Sequence, residues 1–395
     1  MTDIKNKIEK IVGQNLNKVL EIRRHIHQHP ELSFKEFETS GYIKSILDEL
    51  EISYTDNWVK TGIVAEIEGD QPGPTIALRA DIDALPIDEK TDLPFKSDNK
   101  GIMHACGHDI HASSLIGVLT VINELKSEFA GKVIFIFQPG EEEIPGGASL
   151  MIKEGLLEKF KPKSIVAQHT FPDLPAGKVG FFPGTYMASN DELHVTVKGK
   201  GGHGAMPHKT VDTVLMSAHL ITSLQQVISR TKDPFTPAVL TFGRIEGLGA
   251  TNVIPDEVHL QGTFRTMDEA YREKAHERML SIANGIAEGM GGSIDFEIRR
   301  GYPNVHNDVD LTEKCMSWAR DFLGDENVVN LEQRMTSEDF AFYSQEIPGC
   351  FYRLGTGFEN RENFGLHHPK YEVNEDAIRT GIELMSYLTI KQLEQ

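Results

Sequence analysis

The chain has 395 residues and a formal net charge of −19, with 39% hydrophobic and 25% charged residues. That length exceeds what one hydrophobic core usually supports, so two domains are expected. The acidic balance excludes a nucleic-acid partner or an anionic membrane surface, which need basic protein surface, and no apolar run approaches the ~20 residues of a membrane span.

Cys106, Cys315 and Cys350 are too few and too scattered for a disulfide framework, which fits a reducing, cytoplasmic location. The opening MTDIKNKIEKIVGQNLNKV lacks the apolar stretch and small-residue cleavage site of a secretory signal. In chain order, Ile8, Ile11, Val12, Leu16, Val19, Leu20 and Ile26 fall at three-and-four spacing, interrupted by Arg23. They predict an amphipathic helix ending before His29-Pro30. A second helix is expected at 38–50. Short apolar runs at 62–69, 75–81, 132–138 and 164–169 predict strands, with a helix over 111–127 among them. The VIFIF within the third run does not alternate, as suits a strand buried on both faces. Strand, helix, strand implies an α/β layer: a mostly parallel sheet flanked by helices.

From about residue 190 the pattern changes. Alternating strands are predicted at 192–200, 238–247, 257–266 and 293–299, with helices at 210–230 and 268–289. The order βαββαβ is that of a ferredoxin-like α+β domain. Helices at 308–323 and 375–394 return to the first domain, with a stretch rich in Gly, Pro and His between them. The expected organisation is a catalytic domain of 1–186 and 302–395 interrupted by an inserted domain of 187–301.

In open α/β sheets, ligands bind beyond the carboxyl ends of the strands. Asp81 and Asp83 follow one predicted strand, Glu141, Glu142 and Glu143 a second, and His169 a third. Cys106 and His108, in MHACGHDIH, precede a helix leading back into the sheet. Singly, each has a plainer account: a turn cap, a solvated acidic loop, a structural histidine, a small buried thiol. Together they bring carboxylate, thiolate and imidazole to one edge, which predicts a metal site. A hydrolytic site needs open coordination and a nearby base, roles that adjacent Glu141 and Glu142 can divide. A thiolate such as Cys106 can bridge two ions, and the mixed donors suit Zn, Mn, Ni or Co.

The motifs RADIDALP (79–86), MHACGHDIHAS (103–113), FQPGEEE (137–143), QHTFPDLPAGKVG (168–180), GKGGHGAMPH (199–208), GATNVIPDEV (249–258) and GLHHPKY (365–371) occur in that order. With RRHIHQHPELSF (23–34), this series resembles the aminoacylase/carboxypeptidase superfamily of dinuclear metallohydrolases, in its branch of N-acyl-amino-acid amidohydrolases. The resemblance implies two divalent metal ions per subunit, with Cys106 bridging and His108, Glu142, His169 and His367 as further ligands. His368 is the flanking alternative to His367. Glu141 becomes the general base, and Asp83 and Asp109 support the ligands. Asp81 stands where the wider superfamily has a ligand histidine, and PGEEE where the branch more often has PAEEG, so Glu143 adds rim charge. In the inserted domain, the resemblance gives His203 the scissile carbonyl, often across a dimer interface, and Asn252 and Arg265 the substrate α-carboxylate. The implied protein is a homodimer, paired through that domain, acting on small-molecule N-acyl amino acids by metal-activated water. A dipeptidase or aminopeptidase on the same scaffold, or a catalytically silent metal-binding protein, are the alternatives.

Overall fold

The computed structural model describes residues 2–395; Met1, where the predicted catalytic domain begins, lies outside them. The chain forms two compact units. The first runs to Gly184 and takes up His306–Glu332 and Asp339–Gln395; the second comprises Thr185–Val305 and Gln333–Glu338.

The first unit is built on an eight-stranded sheet in the order Tyr54–Trp58, Gly62–Glu68, Ala130–Gln138, Gln71–Asp81, Ile165–Pro175, Gly349–Gly357, Val179–Phe181, Val328–Asn330. Its four central strands, from Ala130–Gln138 to Gly349–Gly357, are mutually parallel, whereas antiparallel pairs lie on either side. Helices Thr2–Gln28, His108–Glu124 and Asp376–Leu393 pack on one another, the latter two also against the sheet. Of the predicted stripe the first buries Ile8, Ile11, Val12, Val19 and Ile26, with Leu16 and Leu20 partly buried against the same core, and Ile22 joins it. The second begins three residues before the predicted start, at His108, because Gly107 turns the chain with φ +84°. At Gly117 the helices approach so closely that a Cβ would sit 2.5 Å from Ile382 Cδ1. Phe135 and Phe137 are fully buried, as the unbroken apolar run requires. Each contributes roughly 2–3 kcal/mol by leaving water.

The patterning predicts no element between 323 and 375, yet the strand Gly349–Gly357 lies inside the sheet and is buried throughout. Its sequence, GCFYRLGTG, hides it: Arg353 interrupts the apolar run and three glycines look like loop. Two of those glycines are demanded by close backbone approach, since a Cβ would meet Pro175 O at 2.2 Å from Gly355 and Pro172 O at 2.3 Å from Gly357.

The second unit has a four-stranded antiparallel sheet in the order Ala238–Glu246, Glu257–Thr266, Asp191–Lys198, Ser293–Arg300, with helices Thr213–Arg230 and Glu269–Met290. Leu193, Val195 and Val197 alternate into its core against Met216, Leu220, Phe264 and Met279. Both helices start at an aspartate cap: Asp212 accepts the Leu215 N–H and Asp268 the Tyr271 N–H, each at 2.9 Å. The expected organisation puts 333–338 in the first domain, whereas the segment joins the second unit. Gln333 Nε2 donates to the Thr185 carbonyl (2.8 Å), and the Arg334 N–H to that of Tyr186 (2.9 Å). Among the described residues no helix is long and apolar enough to cross a membrane.

Candidate metal centre

The centre lies at the rim of the first unit's sheet. Strand Gln71–Asp81 ends on Asp81, and strand Ala130–Gln138 runs into the loop bearing Glu141 and Glu142. His169 does not follow its strand as predicted but sits within it, because Ile165–Pro175 continues alongside Gly349–Gly357. Cys106 and His108 flank Gly107, whose Cβ, were there one, would lie 2.7 Å from Thr170. Only glycine lets this turn press against the neighbouring strand with positive φ.

Hydrogen bonds settle which histidine lone pairs face the cluster. His169 Nδ1 donates to the Thr170 carbonyl (2.8 Å), leaving Nε2 3.4 Å from Cys106 Sγ. His108 Nδ1 donates to the Asp83 carbonyl (2.9 Å) and Oδ1 (3.1 Å). Its Nε2 lies 3.7 Å from Asp81 Oδ2 and 3.9 Å from Glu142 Oε1, buried and with no hydrogen-bond partner. Glu142 Oε1 is likewise buried and accepts no hydrogen bond, 3.1 Å from His367 Nε2. His367 has φ +64° and donates its N–H to the Ala105 carbonyl (2.8 Å), which clamps its segment beside Cys106. His368 is engaged elsewhere: its ring stacks on Phe364, and Nδ1 accepts the Lys370 N–H (3.1 Å).

Donor atoms of Cys106, His108 and His169 all lie within 4.8 Å of one another, as do those of Cys106, Glu142 and His367, and those of His108, Glu141 and Glu142. The sulfur is common to the first two groups. Thiolate, imidazole and carboxylate donors, with two buried polar atoms orphaned among them, fit divalent cations.

Asp81 and His111 also lie near His108, but their atoms are occupied. Asp81 Oδ2 accepts from Arg79 Nη1 at 2.6 Å, and Oδ1 accepts a hydrogen bond from His111 Nδ1. His111 Nε2 accepts the Thr170 N–H (2.9 Å), which fixes its tautomer and removes its lone pair. Asp83 supports two donors at once: Oδ1 holds His108, while Oδ2 accepts from Ser33 Oγ (2.7 Å) and the Glu142 N–H (3.0 Å). Asp109 faces the first helix, bound to Arg23 Nε (2.7 Å) and His27 Nδ1 (2.9 Å). Glu141 is buried, and its Oε1 accepts the Asp339 N–H at 3.4 Å. Glu143 is exposed.

The electrostatics follow from burial among carboxylates. Burial pulls His108 down, but the Asp81 and Asp83 carboxylates outweigh it and push the imidazole up to about 10. Burial, then Glu142, Glu141 and Asp81, push the Cys106 thiol well above its ordinary range. Burial, then Arg353 and His111, hold His169 far below its ordinary value, so it stays neutral. Burial opposes the ionisation of Asp81, but Arg79 with His108 and His111 keeps it well below the usual carboxylate range. The pocket therefore draws positive charge in, the condition a cation satisfies.

Sequence reasoning missed the layer behind these groups. Arg79 Nε bonds Gln138 Oε1 (3.0 Å) and Nη2 bonds Asp339 Oδ1 (2.6 Å), and Asp339 also accepts the Ala148 N–H (2.9 Å). The available signal was a charged residue on an otherwise apolar stretch: Arg79 within TIALRAD and Arg23 on the first helix's apolar face.

His203, Asn252 and Arg265 belong to the second unit. His203 is exposed on a short strand paired with Val253, and its Nδ1 accepts the Ala205 N–H (3.1 Å). The Gly204 N–H donates to the Asn252 carbonyl (2.8 Å), bringing these two segments together. Arg265 is half-buried. Its Nη1 donates to the Met335 carbonyl (3.1 Å) and Ser337 Oγ (3.2 Å), and burial lowers its pKa.

A family model described as Peptidase family M20/M25/M40 matches residues 77–391. N-acetylcysteine deacetylase of Bacillus subtilis is 40% identical over 378 residues, 95% of this chain and 97% of that protein. N-acetyldiaminopimelate deacetylase of Brevibacillus brevis is 38% identical over 368 residues, 93% of this chain and 96% of its own length. The crystal structure of the Bacillus subtilis YXEP protein, a dinuclear metal-binding peptidase from the M20 family, superposes with a TM-score of 0.82 at 38% identity, covering 96% of this chain and 98% of that one.

Proposed function

The chain belongs to peptidase family M20/M25/M40, and from that premise we propose how it acts: as a metal-dependent amidohydrolase that cleaves the amide bond of N-acyl amino acids. The relatives named as deacetylases support the substrate class. The observation that carries the reading is the pairing of Cys106 Sγ, common to two donor groups, with Glu141 and Glu142 adjacent on one loop.

Cys106, His108, Glu142, His169 and His367 would hold two divalent ions, whose positive charge would acidify water and polarise an amide carbonyl. Zn, Mn, Ni or Co suits that donor set. Glu141 takes a proton from the attacking water as its oxygen bonds the carbonyl carbon. It returns that proton to the amide nitrogen as the C–N bond breaks, yielding a carboxylic acid and a free amino acid. His203 donates an N–H to the carbonyl oxygen as negative charge develops there. Arg265, its Nη1 anchored on Met335 and Ser337, grips the substrate carboxylate with Asn252. Asp83 holds His108 in its binding tautomer, and Asp109 steadies the helix that bears it. We assign catalysis to the first unit and pairing into a homodimer to the second. Three buried free thiols support a cytoplasmic location.

The test is hydrolysis of N-acetyl amino acids, hippurate and simple dipeptides by metal-stripped protein with Mn, Zn, Co or Ni restored. Release of amino acid from the acyl substrates, lost by roughly 10²–10⁴-fold in Glu141→Gln with both ions still bound, is expected. Dipeptide cleavage alone points to the peptidase alternative. Two bound ions with no cleavage of any substrate point to the silent binder.

A further inference from the structure

Glu36 is fully buried yet lies outside the donor groups just described. Its Oε1 accepts two N–H groups at 2.9 Å, those of Phe34 and Gly140, and its Oε2 accepts the Thr61 hydroxyl at 2.7 Å. One carboxylate thus joins the turn that precedes the helix Phe37–Glu49, the strand Gly62–Glu68 at its start, and the loop that carries Glu141 and Glu142. Phe34 completes the grip. It adopts φ +63°, a conformation that costs a non-glycine residue of order 1 kcal/mol and persists only where neighbours enforce it. Its ring covers Gly140 so closely that a Cβ there would meet Phe34 Cε1 at 2.3 Å. Gly140 itself has φ +62°, and its carbonyl accepts the Gly147 N–H at 2.9 Å, which closes the loop from the far side. Two residues upstream of Glu36's partner Phe34, Leu32 bridges to Ala84, and Ser33 Oγ reaches Asp83 Oδ2, the same oxygen that takes the Glu142 N–H.

We propose that Glu36, acting through the Phe34–Gly140 contact, is a positioning residue that sets the 139–143 loop so that Glu141 and Glu142 keep separate roles, one as base and one as ligand; the proposal rests on the functional reading above. The physical reason is local. Adjacent carboxylates on a glycine-hinged loop can exchange places by a rotation at Gly140, and the Glu36 bond to its N–H together with the Phe34 ring blocks that rotation. A misplacement of about 1 Å at a reacting group costs roughly a hundredfold in rate.

The experiment compares Glu36→Ala, Glu36→Gln and Glu36→Asp with wild type by two measurements. The first is amide hydrogen exchange at Gly140 in metal-free protein, which requires no activity. The second is kcat and KM on the best acyl substrate at saturating metal. The glutamine carbonyl still accepts both N–H groups, and its amide donates to Thr61, so Glu36→Gln should match wild type in both. Glu36→Ala should exchange at Gly140 at least roughly tenfold faster and lose kcat by roughly 10–100-fold with KM changed by less than about threefold. Glu36→Asp, too short to reach Gly140, should fall with Ala, and it serves if the alanine variant does not fold. Unchanged exchange at Gly140 in Ala and Asp overturns the proposal. So does a glutamine variant as impaired as alanine, because charge rather than hydrogen-bond geometry would then be what matters. If wild type cleaves no acyl amino acid, the functional reading fails while the exchange measurement still decides this one.

Discussion

Around Cys106 the side chains hold one another. Arg79 is locked to Asp81, Gln138 and Asp339, and Asp83 is locked to His108, Ser33 and the Glu142 backbone. Around His203 the backbone holds the segment, through the short pairing with Val253 and the Gly204–Asn252 hydrogen bond, while the imidazole itself is exposed. The first arrangement is preformed: Arg79, Asp81, Asp83 and Asp339 each find their partners among neighbouring side chains and backbone of the same unit. The second leaves a side chain that folding does not need. Substitutions in the first region should therefore damage structure and chemistry together, and those in the second should damage chemistry alone.

The sharpest probe of the preformed region is its common atom. Cys106→Ala should lose both ions, not one, and lower activity by more than roughly a thousandfold, as counted by metal analysis and turnover. Retention of one tightly bound ion per chain would mean the sulfur is not common to both positions. Next comes Arg79→Ala, which leaves Asp81 and Asp339 buried without their cation and should cost about 3–5 kcal/mol in denaturant unfolding. A loss below about 1 kcal/mol would show that the layer behind the ligands contributes little.

A third probe uses pH. Burial, reinforced by Asp83, raises Glu36 from its ordinary 4.5 to about 7. Its folded-state pKa lies above the unfolded one, so the stability it contributes is complete below the unfolded value and falls as pH rises through 7. The full swing is about 3 kcal/mol. Glu36→Gln, which stays neutral, should unfold close to wild type near pH 5 and be more stable than wild type near pH 8. Parallel stability curves for the two proteins would contradict the sign. The smallest structural effect is expected at His203→Ala: stability within about 0.5 kcal/mol of wild type, with kcat lowered by roughly 10²–10³. A large loss of stability there would erase the contrast between the regions.

What the sequence made legible were features with a period or a fixed local order. The apolar stripe of the first helix, the unbroken VIFIF strand and the alternation of ELHVTV each carry their structure in neighbouring residues. So does the arrival of Asp81, Glu141 and Glu142 at strand ends. What stayed hidden depends on partners distant in the chain. Asp339 meets Arg79 across 260 positions, and nothing near either residue announces the other. The strand Gly349–Gly357 escaped because its glycines answer to backbone atoms of Pro172 and Pro175, a requirement that reads locally as loop. His169 was legible as a candidate donor, but its tautomer depends on the Thr170 carbonyl and appears only in the fold.

The segment Gln333–Glu338 bears on what an inserted domain is. An insertion joined at two places can be lifted out, and each part then folds by its own means. This chain passes between its two units at four places. A fragment cut at 185 and 305 would leave the Arg265 guanidinium without the Met335 carbonyl and Ser337 hydroxyl, and the Thr185 carbonyl without Gln333. The second unit is continuous in space but not along the chain, so the one excision that carries it whole, 185–338, also takes 306–332 out of the first unit.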